Sequence, residues 1–340
     1  MKYFKNVRKN AIILLIVLIL VLYFVLKDDF VNIINTLIKA DFSWILFAVI
    51  FIFVYWILRA LCLFMITKEY SKKMQFKKIF QLTLITQFFN GITPFSSGGQ
   101  PMEVYYLSKL GIKPTKGTNI ILQNFILYQM ALIVHGIIAI YLNYRFHFFK
   151  EIDILRQLTL VGFIINAAVG VGLLFISFST KFNRKIVHLL IKVCHKLKIV
   201  KDREKTIEKW SNRLSEFHES ATLLSHKKIL FVKGFVYCFL ALGAFYIIPL
   251  FVIYGMGNFN ISAIETISAS AYVLIIGAFV PIPGGTGGIE YGFMQFFGNF
   301  ISGSVLSASM LVWRFITYYF GIILGAITIS FFKGEVKKCE

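Results

Sequence analysis

The chain has 340 residues, is 58% hydrophobic and carries a formal net charge of +20 at pH 7. That apolar fraction is above the level of ordinary soluble domains and excludes a typical soluble fold. The basic residues lie between apolar stretches rather than in a nucleic-acid-binding module, so we expect no nucleic-acid partner. We interpret the charge as a membrane-orientation signal that also attracts anionic lipid headgroups, and we predict a single transmembrane domain over residues 1–340.

Six apolar stretches are long enough to cross a bilayer, which requires roughly 20 residues. In chain order they are 10–27, 42–67, 118–142, 157–179, 229–254 and 304–332. The first stretch has no small-residue cleavage site after it, which favours an uncleaved span over a signal peptide. The sequence therefore predicts an all-α integral membrane protein with about six spanning helices.

Two further apolar stretches, 79–107 and 262–301, are interrupted by Pro and Gly, which break helices because Pro lacks an N–H and Gly is conformationally free. The two interruptions align at one constant offset, which pairs Pro94 with Pro281, Gly98 with Gly285, and Glu103 with Glu290. The arms after the Gly-rich turns are too short to cross a bilayer alone. We therefore predict two re-entrant helical hairpins, which require cover by protein or a watery cavity.

The distribution of Lys and Arg predicts the orientation. Most of the 36 basic residues lie in segments that share one side of the membrane, namely 2–9, 68–78, 109–116, 181–228 and 333–338. By the positive-inside rule this side is the cytoplasm, so both termini are expected there, in a plasma membrane.

This orientation makes the two hairpins enter from opposite faces. Repeat 1, about 42–142, and repeat 2, about 229–332, are then inverted copies, joined by a basic amphipathic linker over 180–228. Broken helices at matching places in inverted repeats are typical of transporters with a binding site near the membrane midplane.

Charged residues inside apolar stretches are costly and are therefore candidates for a site. The candidates are Arg59, Glu103, Glu290 and Arg314, and we expect Glu290 to pair with Arg314. The alternative is that these charges only hold helices together. Polar candidates for a hydrated groove are Asn90, Gln100 and Asn124, for which interhelical hydrogen bonding is the alternative.

The glycines of the two turns expose backbone N–H groups, which can bind a lipid phosphate. They are Gly98, Gly99, Gly284, Gly285, Gly287 and Gly288, and the prolines that would form the hinges or turns are Pro94, Pro101, Pro281 and Pro283. The alternative is that glycine only permits a tight turn and close packing. Common motifs of hydrolases, metalloproteases and P-loop enzymes are absent, and the four cysteines have no zinc spacing, so we expect no cofactor or metal.

The pattern Pro281-x-Pro-Gly-Gly-x-Gly-Gly-x-Glu290, followed by Arg314 in the next span, resembles the transmembrane domain of lysylphosphatidylglycerol synthases, the flippase-like or UPF0104 family. The looser motif from Pro94 to Glu103 shares the resemblance, which extends over about residues 8–332. Family members typically have an arginine shortly after the first glutamate, where this chain has Tyr105, Tyr106 and Leu107.

The resemblance implies movement of a lipid, such as aminoacyl-phosphatidylglycerol or a related glycolipid or phospholipid, between leaflets. We expect Arg314, with the turn amides, to hold the phosphate, and Glu103 and Glu290 to bind a cationic headgroup or carry a coupling proton. In two-domain members a separate soluble domain transfers the amino acid, so we expect a lysyltransferase activity to belong to that domain and not to this chain. Two alternatives are an integral-membrane transferase of lipid modification and a membrane partner of a separate synthase. A homodimer is a further possibility, although we found no clear G-x-x-x-G face for it.

Overall fold

The computed structural model describes residues 30–149, 160–165, 168, 172, 227–277 and 280–332. Every regular element in this part of the chain is a helix. The expected spans 10–27 and most of 157–179, and nearly all of the expected linker over 180–228, lie outside the described residues.

The described residues of the first half form five α-helices and one sharp turn. They are α1 Phe30–Ile38, α2 Phe42–Tyr70, α3 Phe76–Gly91, the 3₁₀ turn Pro94–Ser96, α4 Gly99–Lys109 and α5 Pro114–Phe146. Asp41 caps α2 by accepting a hydrogen bond from the Ser43 amide at 2.8 Å, which satisfies one of the free N–H groups at the helix start.

The second half repeats this order with two interrupted spans. It contains α6 Lys228–Tyr246, α7 Ile248–Gly255, α8 Ala263–Gly277, the 3₁₀ turn Pro283–Gly285, α9 Gly288–Phe297, α10 Gly303–Arg314, the π-helical turn Phe315–Tyr319 and α11 Phe320–Phe331. Helices α6 and α7 meet at Ile247, just before Pro249, which has no N–H to continue the helical bonding.

Four helical stretches in the described residues are long and apolar enough to cross a membrane: Phe42–Tyr70, Pro114–Phe146, Lys228–Gly255 and Gly303–Phe331. They coincide with the four predicted spans that fall in this part of the chain. Large apolar side chains lie on their outer faces, including Phe42 at 76% exposure and Ile229 at 73%, as expected for surfaces that contact lipid.

The two interrupted stretches form helix–turn–helix hairpins. The arms α3 and α4 have 16 and 11 residues, and α8 and α9 have 15 and 10. At a rise of 1.5 Å per residue each arm is at most about 24 Å long, less than the roughly 30 Å of the hydrocarbon core. Within each hairpin the two arms pack against each other.

The two halves contact each other crosswise. Helix α2 packs along α6 and α7, α11 packs on α3 of the first hairpin, and α5 packs on α8 of the second. The two 3₁₀ turns also contact each other. Each hairpin is therefore held by a long helix of the other half, and the tips of both hairpins meet between them.

The α3–α11 interface depends on glycines that let the two backbones approach. A Cβ at Gly325 would lie 2.5 Å from the Leu84 carbonyl oxygen, and one at Gly91 would lie 2.5 Å from Ile322. Gly321 also faces α3 through Gln87, so Gly321 and Gly325 form a small-xxx-small face. Our sequence analysis missed this face, which is used inside the chain rather than between subunits.

The equivalent positions of the two turns in the structure differ by two residues from the pairs that the sequence alignment gave. Pro94 and Pro283 each begin the 3₁₀ turn, and Gly99 and Gly288 each begin the following helix. The left-handed residues match as well, Phe95 and Ser96 with Gly284 and Gly285. The predicted equivalence of Glu103 with Glu290 is therefore wrong in the structure: Glu290 is the third residue of its helix and Glu103 is the fifth.

Candidate functional site

A cavity of about 530 Å³ lies where the two hairpin tips meet. Both halves of the chain line it: α2, α3, the first turn, α4 and α5 from the first half, and α6, α8, α9, α10 and the second turn from the second half. Its volume is in the range of small-molecule sites, and its wall combines charged, amide and hydroxyl groups with aromatic rings.

Arg59 on α2 supplies a positive charge to this cavity. Its guanidinium carbon lies 4.3 Å from the centre of the Tyr128 ring, and its Nη1 donates to the Cys238 sulfur at 3.3 Å. In the part of the chain that the structure describes, no carboxylate lies within 4.0 Å of this guanidinium. A charge held at membrane depth without an anion is costly, so the cavity is electrostatically suited to receive one.

Glu103 on α4 places a carboxyl group in the same cavity. The carboxyl group is buried, at 7% exposure, and the Thr86 hydroxyl lies 3.0 Å from its Oε1. No Lys or Arg of the described residues forms an ion pair with it. Arg59 and Glu103 thus line one cavity without a direct ion pair between them.

Glu290 and Arg314 form the buried ion pair that the sequence predicted. Arg314 Nε donates to Glu290 Oε1 at 2.6 Å, and the two residues are 5% and 4% exposed. Arg314 Nη2 donates to the Gly284 carbonyl oxygen at 2.7 Å, and the Gly287 amide donates to Glu290 Oε2 at 2.6 Å. The pair therefore fixes the second turn from both ends.

Tyr318 connects this pair to the first hairpin. Its ring lies 4.1 Å from the Arg314 guanidinium carbon, and its hydroxyl donates to the Gly91 carbonyl oxygen at 2.8 Å. Gly284 must be glycine here because its φ is +66° and an added Cβ would lie 2.2 Å from the Tyr318 ring.

The turn amides expected to bind an anion mostly donate within the protein. The amides of Gly98 and Gly99 donate to Thr93 Oγ1 and Asn90 Oδ1 at 2.9 and 3.0 Å. Those of Gly285 and Gly287 donate to the Ile282 carbonyl and to Glu290. Acceptors next to each turn satisfy these donors, so this geometry favours the alternative that glycine permits tight turns.

Two buried polar atoms of the cavity residues have no hydrogen-bond partner among the described residues. They are Oδ1 of Asn124, an acceptor, and Nε1 of Trp313, a donor. Asn124 is 4% exposed and Trp313 is 2% exposed. Buried polar groups are normally satisfied, so leaving these two atoms without a partner carries a free-energy cost.

A second, more apolar cavity of about 470 Å³ adjoins the first. The two share lining residues at the hairpin tips, including Phe95, Phe125 and Gly284. Leu132, Leu274 and Ile275 contribute much of the apolar wall. The site therefore has a polar cavity next to an apolar one.

The structure brings together about half of the predicted site residues. The cavity is lined by Arg59, Asn90, Gln100, Glu103, Asn124, Gly284 and Arg314. Glu290 lies behind Arg314, and Gly285 lines the second cavity instead. Neither of these two cavities is lined by Gly98, Gly99, Gly287 or Gly288, whose backbone forms the turns and helix starts.

The four predicted prolines lie at or next to the two turns. Pro94 and Pro283 begin the turns, Pro101 lies in the first turn of α4, and Pro281 precedes the second 3₁₀ turn.

Sequence reasoning missed Tyr55, Thr86 and Trp313, which also line the first cavity. Two of them carry a signal that was available: Tyr55 precedes Arg59 by four residues, and Thr86 precedes Asn90 by four. Side chains four residues apart share a helix face, so each marks the same polar face as a predicted residue.

Comparison with known proteins agrees with this architecture. The family described as the lysylphosphatidylglycerol synthase TM region matches residues 10–325. A UPF0104 membrane protein of Archaeoglobus fulgidus is 26% identical over 297 residues, covering 85% of this chain and 87% of that protein. A UPF0104 membrane protein of Methanocaldococcus jannaschii is 26% identical over 342 residues and covers 98% of each chain. The chain is therefore a membrane protein of the lysylphosphatidylglycerol synthase transmembrane-region family.

Proposed function

We propose that this protein moves a lipid with a phosphate-bearing polar headgroup between the leaflets of the plasma membrane. The observation that carries the proposal is the cavity at the meeting point of the two hairpin tips, with Arg59 in its wall and no carboxylate of the described residues paired to it. A site for a lipid headgroup needs polar chemistry at membrane depth, which this cavity supplies.

The phosphate would bind Arg59. A guanidinium presents a fork of N–H donors that matches phosphate oxygens, and among the described residues the hydrogen bond that Arg59 donates goes to the weak acceptor sulfur of Cys238. Asn124 and Trp313 also lie in the wall of the cavity. Glu103 would receive a cationic or hydroxyl-bearing part of the headgroup, as in an aminoacylated phospholipid or a glycolipid.

Glu290 and Arg314 would have a different role from the one that the sequence suggested. Arg314 already donates to Glu290 and Gly284 and stacks on Tyr318. We therefore assign this pair to holding the second turn in shape beside the headgroup, and we assign direct phosphate binding to Arg59.

In this proposal the two hairpins are re-entrant and enter from opposite sides, with both termini in the cytoplasm. The short arms and the contact between the two turns support this arrangement. The crosswise packing of each hairpin on a long helix of the other half supports movement of two similar units about a central site. The acyl chains would remain in the second, more apolar cavity or in the bilayer.

The test is lipid translocation in proteoliposomes that contain the purified protein. Fluorescent lipids with a phosphodiester headgroup, with an aminoacylated phosphodiester headgroup, and with a sugar headgroup that lacks phosphate would be compared by their accessibility to an impermeant quencher. We expect movement of the phosphate-bearing lipids and much slower movement of the phosphate-free glycolipid.

The same preparation distinguishes the alternatives. A lipid-modifying transferase would form a new product in detergent, where no leaflets exist, and a docking partner would move no lipid alone. Either result, with folded protein, would overturn the proposal.

A further inference from the structure

Two cysteines from the two halves of the chain lie in contact beside the cavity. Cys62 on α2 and Cys238 on α6 are both completely buried, and their sulfur atoms are 3.5 Å apart. A disulfide bond has an S–S length of about 2.0 Å, so the two sulfur atoms would approach by about 1.5 Å to form one.

A line of hydrogen bonds connects this thiol pair to the headgroup cavity. Arg59 Nη1 donates to the Cys238 sulfur at 3.3 Å, the Cys238 thiol points to the Cys62 sulfur, and the Cys62 thiol lies 3.6 Å from the Gly234 carbonyl oxygen. Arg59 itself lines the cavity. The Cys238 sulfur is therefore one side chain away from a water-accessible space, despite its burial.

The two sulfurs are not chemically equivalent. The guanidinium of Arg59 touches Cys238, and a positive charge beside a thiol stabilises its thiolate, which is the nucleophilic form. Cys62 lies behind Cys238 and is placed to attack it. The Arg59 contact and the neighbouring Cys62 give Cys238 two features of a reactive cysteine next to a resolving one.

We propose that Cys62 and Cys238 are a redox-active thiol pair that a peroxide oxidises to a disulfide, which joins α2 to α6 and stops lipid movement. Cys238 attacks one oxygen of hydrogen peroxide, the O–O bond breaks, and the leaving hydroxide takes a proton to become water. Cys62 then attacks the resulting sulfenic sulfur, and its proton leaves with the hydroxyl as a second water. Both sulfurs are oxidised and the peroxide is reduced.

The consequence for transport depends on the proposed function. Helices α2 and α6 belong to different halves and pack along each other, so a covalent bond between them opposes relative movement of the halves. The bond also moves the Cys238 sulfur that accepts from Arg59 Nη1, which changes the contacts of the residue assigned to phosphate. Oxidation therefore affects both the α2–α6 interface and Arg59, the residue assigned to the phosphate.

The chemical part is tested on the full chain with Cys194→Ser and Cys339→Ser, so that only this pair remains. After treatment with hydrogen peroxide and digestion, mass spectrometry is expected to find the Cys62 and Cys238 peptides joined, and dithiothreitol is expected to separate them. Recovery of both thiols unoxidised, or oxidation of Cys238 to sulfinic acid without a link to Cys62, would overturn the proposal. Protein unfolded in detergent and treated in the same way verifies that the oxidant is active.

The functional part uses the same protein in proteoliposomes. Peroxide is expected to slow lipid translocation several-fold, and dithiothreitol to restore it, whereas a Cys62→Ala variant is expected to keep its rate in peroxide. A disulfide that forms without any change in rate would refute the control of transport. An absence of translocation in the reduced protein would instead refute the proposed function, and the mass spectrometry result would still decide whether the thiol pair is redox-active.

Discussion

At the scale of single residues, Glu290 and Arg314 form a buried ion pair at the hairpin tips. Breaking such a pair leaves an uncompensated charge, which costs about 3–5 kcal/mol, whereas removing both charges together costs much less. We expect Arg314→Met to lower the unfolding temperature in detergent strongly, and Glu290→Met/Arg314→Met to regain much of that loss.

The chain provides a matched control for this pair. Glu69 and Lys227 also form an ion pair, but on the exposed surface. Surface pairs contribute about 0–1 kcal/mol, so Lys227→Met should change the unfolding temperature little. Equal effects of Arg314→Met and Lys227→Met would contradict the structural role assigned to the buried pair.

Gly284 gives a second prediction at the residue scale. A left-handed conformation costs a residue with a Cβ about 1–2 kcal/mol, and Gly284 has in addition the Tyr318 ring in the place of that Cβ. Gly257 has a φ of +82° and nothing within 4 Å of an added Cβ. Thermal unfolding should show a clearly larger loss for Gly284→Ala than for Gly257→Ala, and the reverse order would contradict this packing.

The sequence predicted which charged residues belong to the site better than it predicted which side chains they contact. The cost of intramembrane charge pointed to Arg59, Glu103, Glu290 and Arg314, and the expected Glu290–Arg314 pair is present. The proposed assignment of phosphate binding to Arg59 instead of Arg314 could not be predicted from the sequence. It depends on which side chains of α5 and α6 face Arg59. Tyr128 and Cys238 lie far from Arg59 in the sequence.

At the scale of helices, glycine at the α3–α11 interface sets how closely the first hairpin packs. Gly325→Ala would place a Cβ 2.5 Å from the Leu84 carbonyl oxygen, a backbone atom that cannot move without shifting the helix. Gly117 on α5 has only ordinary contacts, so Gly117→Ala should be neutral or slightly stabilising through helix propensity. Thermal unfolding of the two variants in detergent measures the difference, and a neutral Gly325→Ala would contradict the interface.

The helices were largely predictable, whereas the register of the turns was not. Long apolar runs gave the four described spans within a few residues, because length and hydropathy determine them. Two Gly- and Pro-rich stretches can be aligned in several registers that look equally good. The structure selects the one that places the left-handed residues in corresponding positions, and this register separates Glu103 from Glu290.

At the scale of the whole molecule, the proposed inverted arrangement predicts opposite accessibility of the two hairpins. Ser108 lies near the end of α4, and Asn299 follows the end of α9. In a cysteine-free variant in intact cells, an impermeant maleimide should label Asn299→Cys from outside, and should label Ser108→Cys only after the membrane is opened. Labelling of both positions from the same side would contradict the inversion.

The proposed function requires Arg59 to bind the phosphate of a lipid headgroup during its movement across the membrane. The test compares translocation of a phosphodiester lipid in proteoliposomes with wild-type, Arg59→Gln and Lys233→Gln protein, because Lys233 is a basic residue of α6 that lies exposed and outside the cavity. We expect Arg59→Gln to lose most of the rate and Lys233→Gln to keep it. A folded Arg59→Gln protein with the wild-type rate would rule out phosphate binding by Arg59 as a step of translocation.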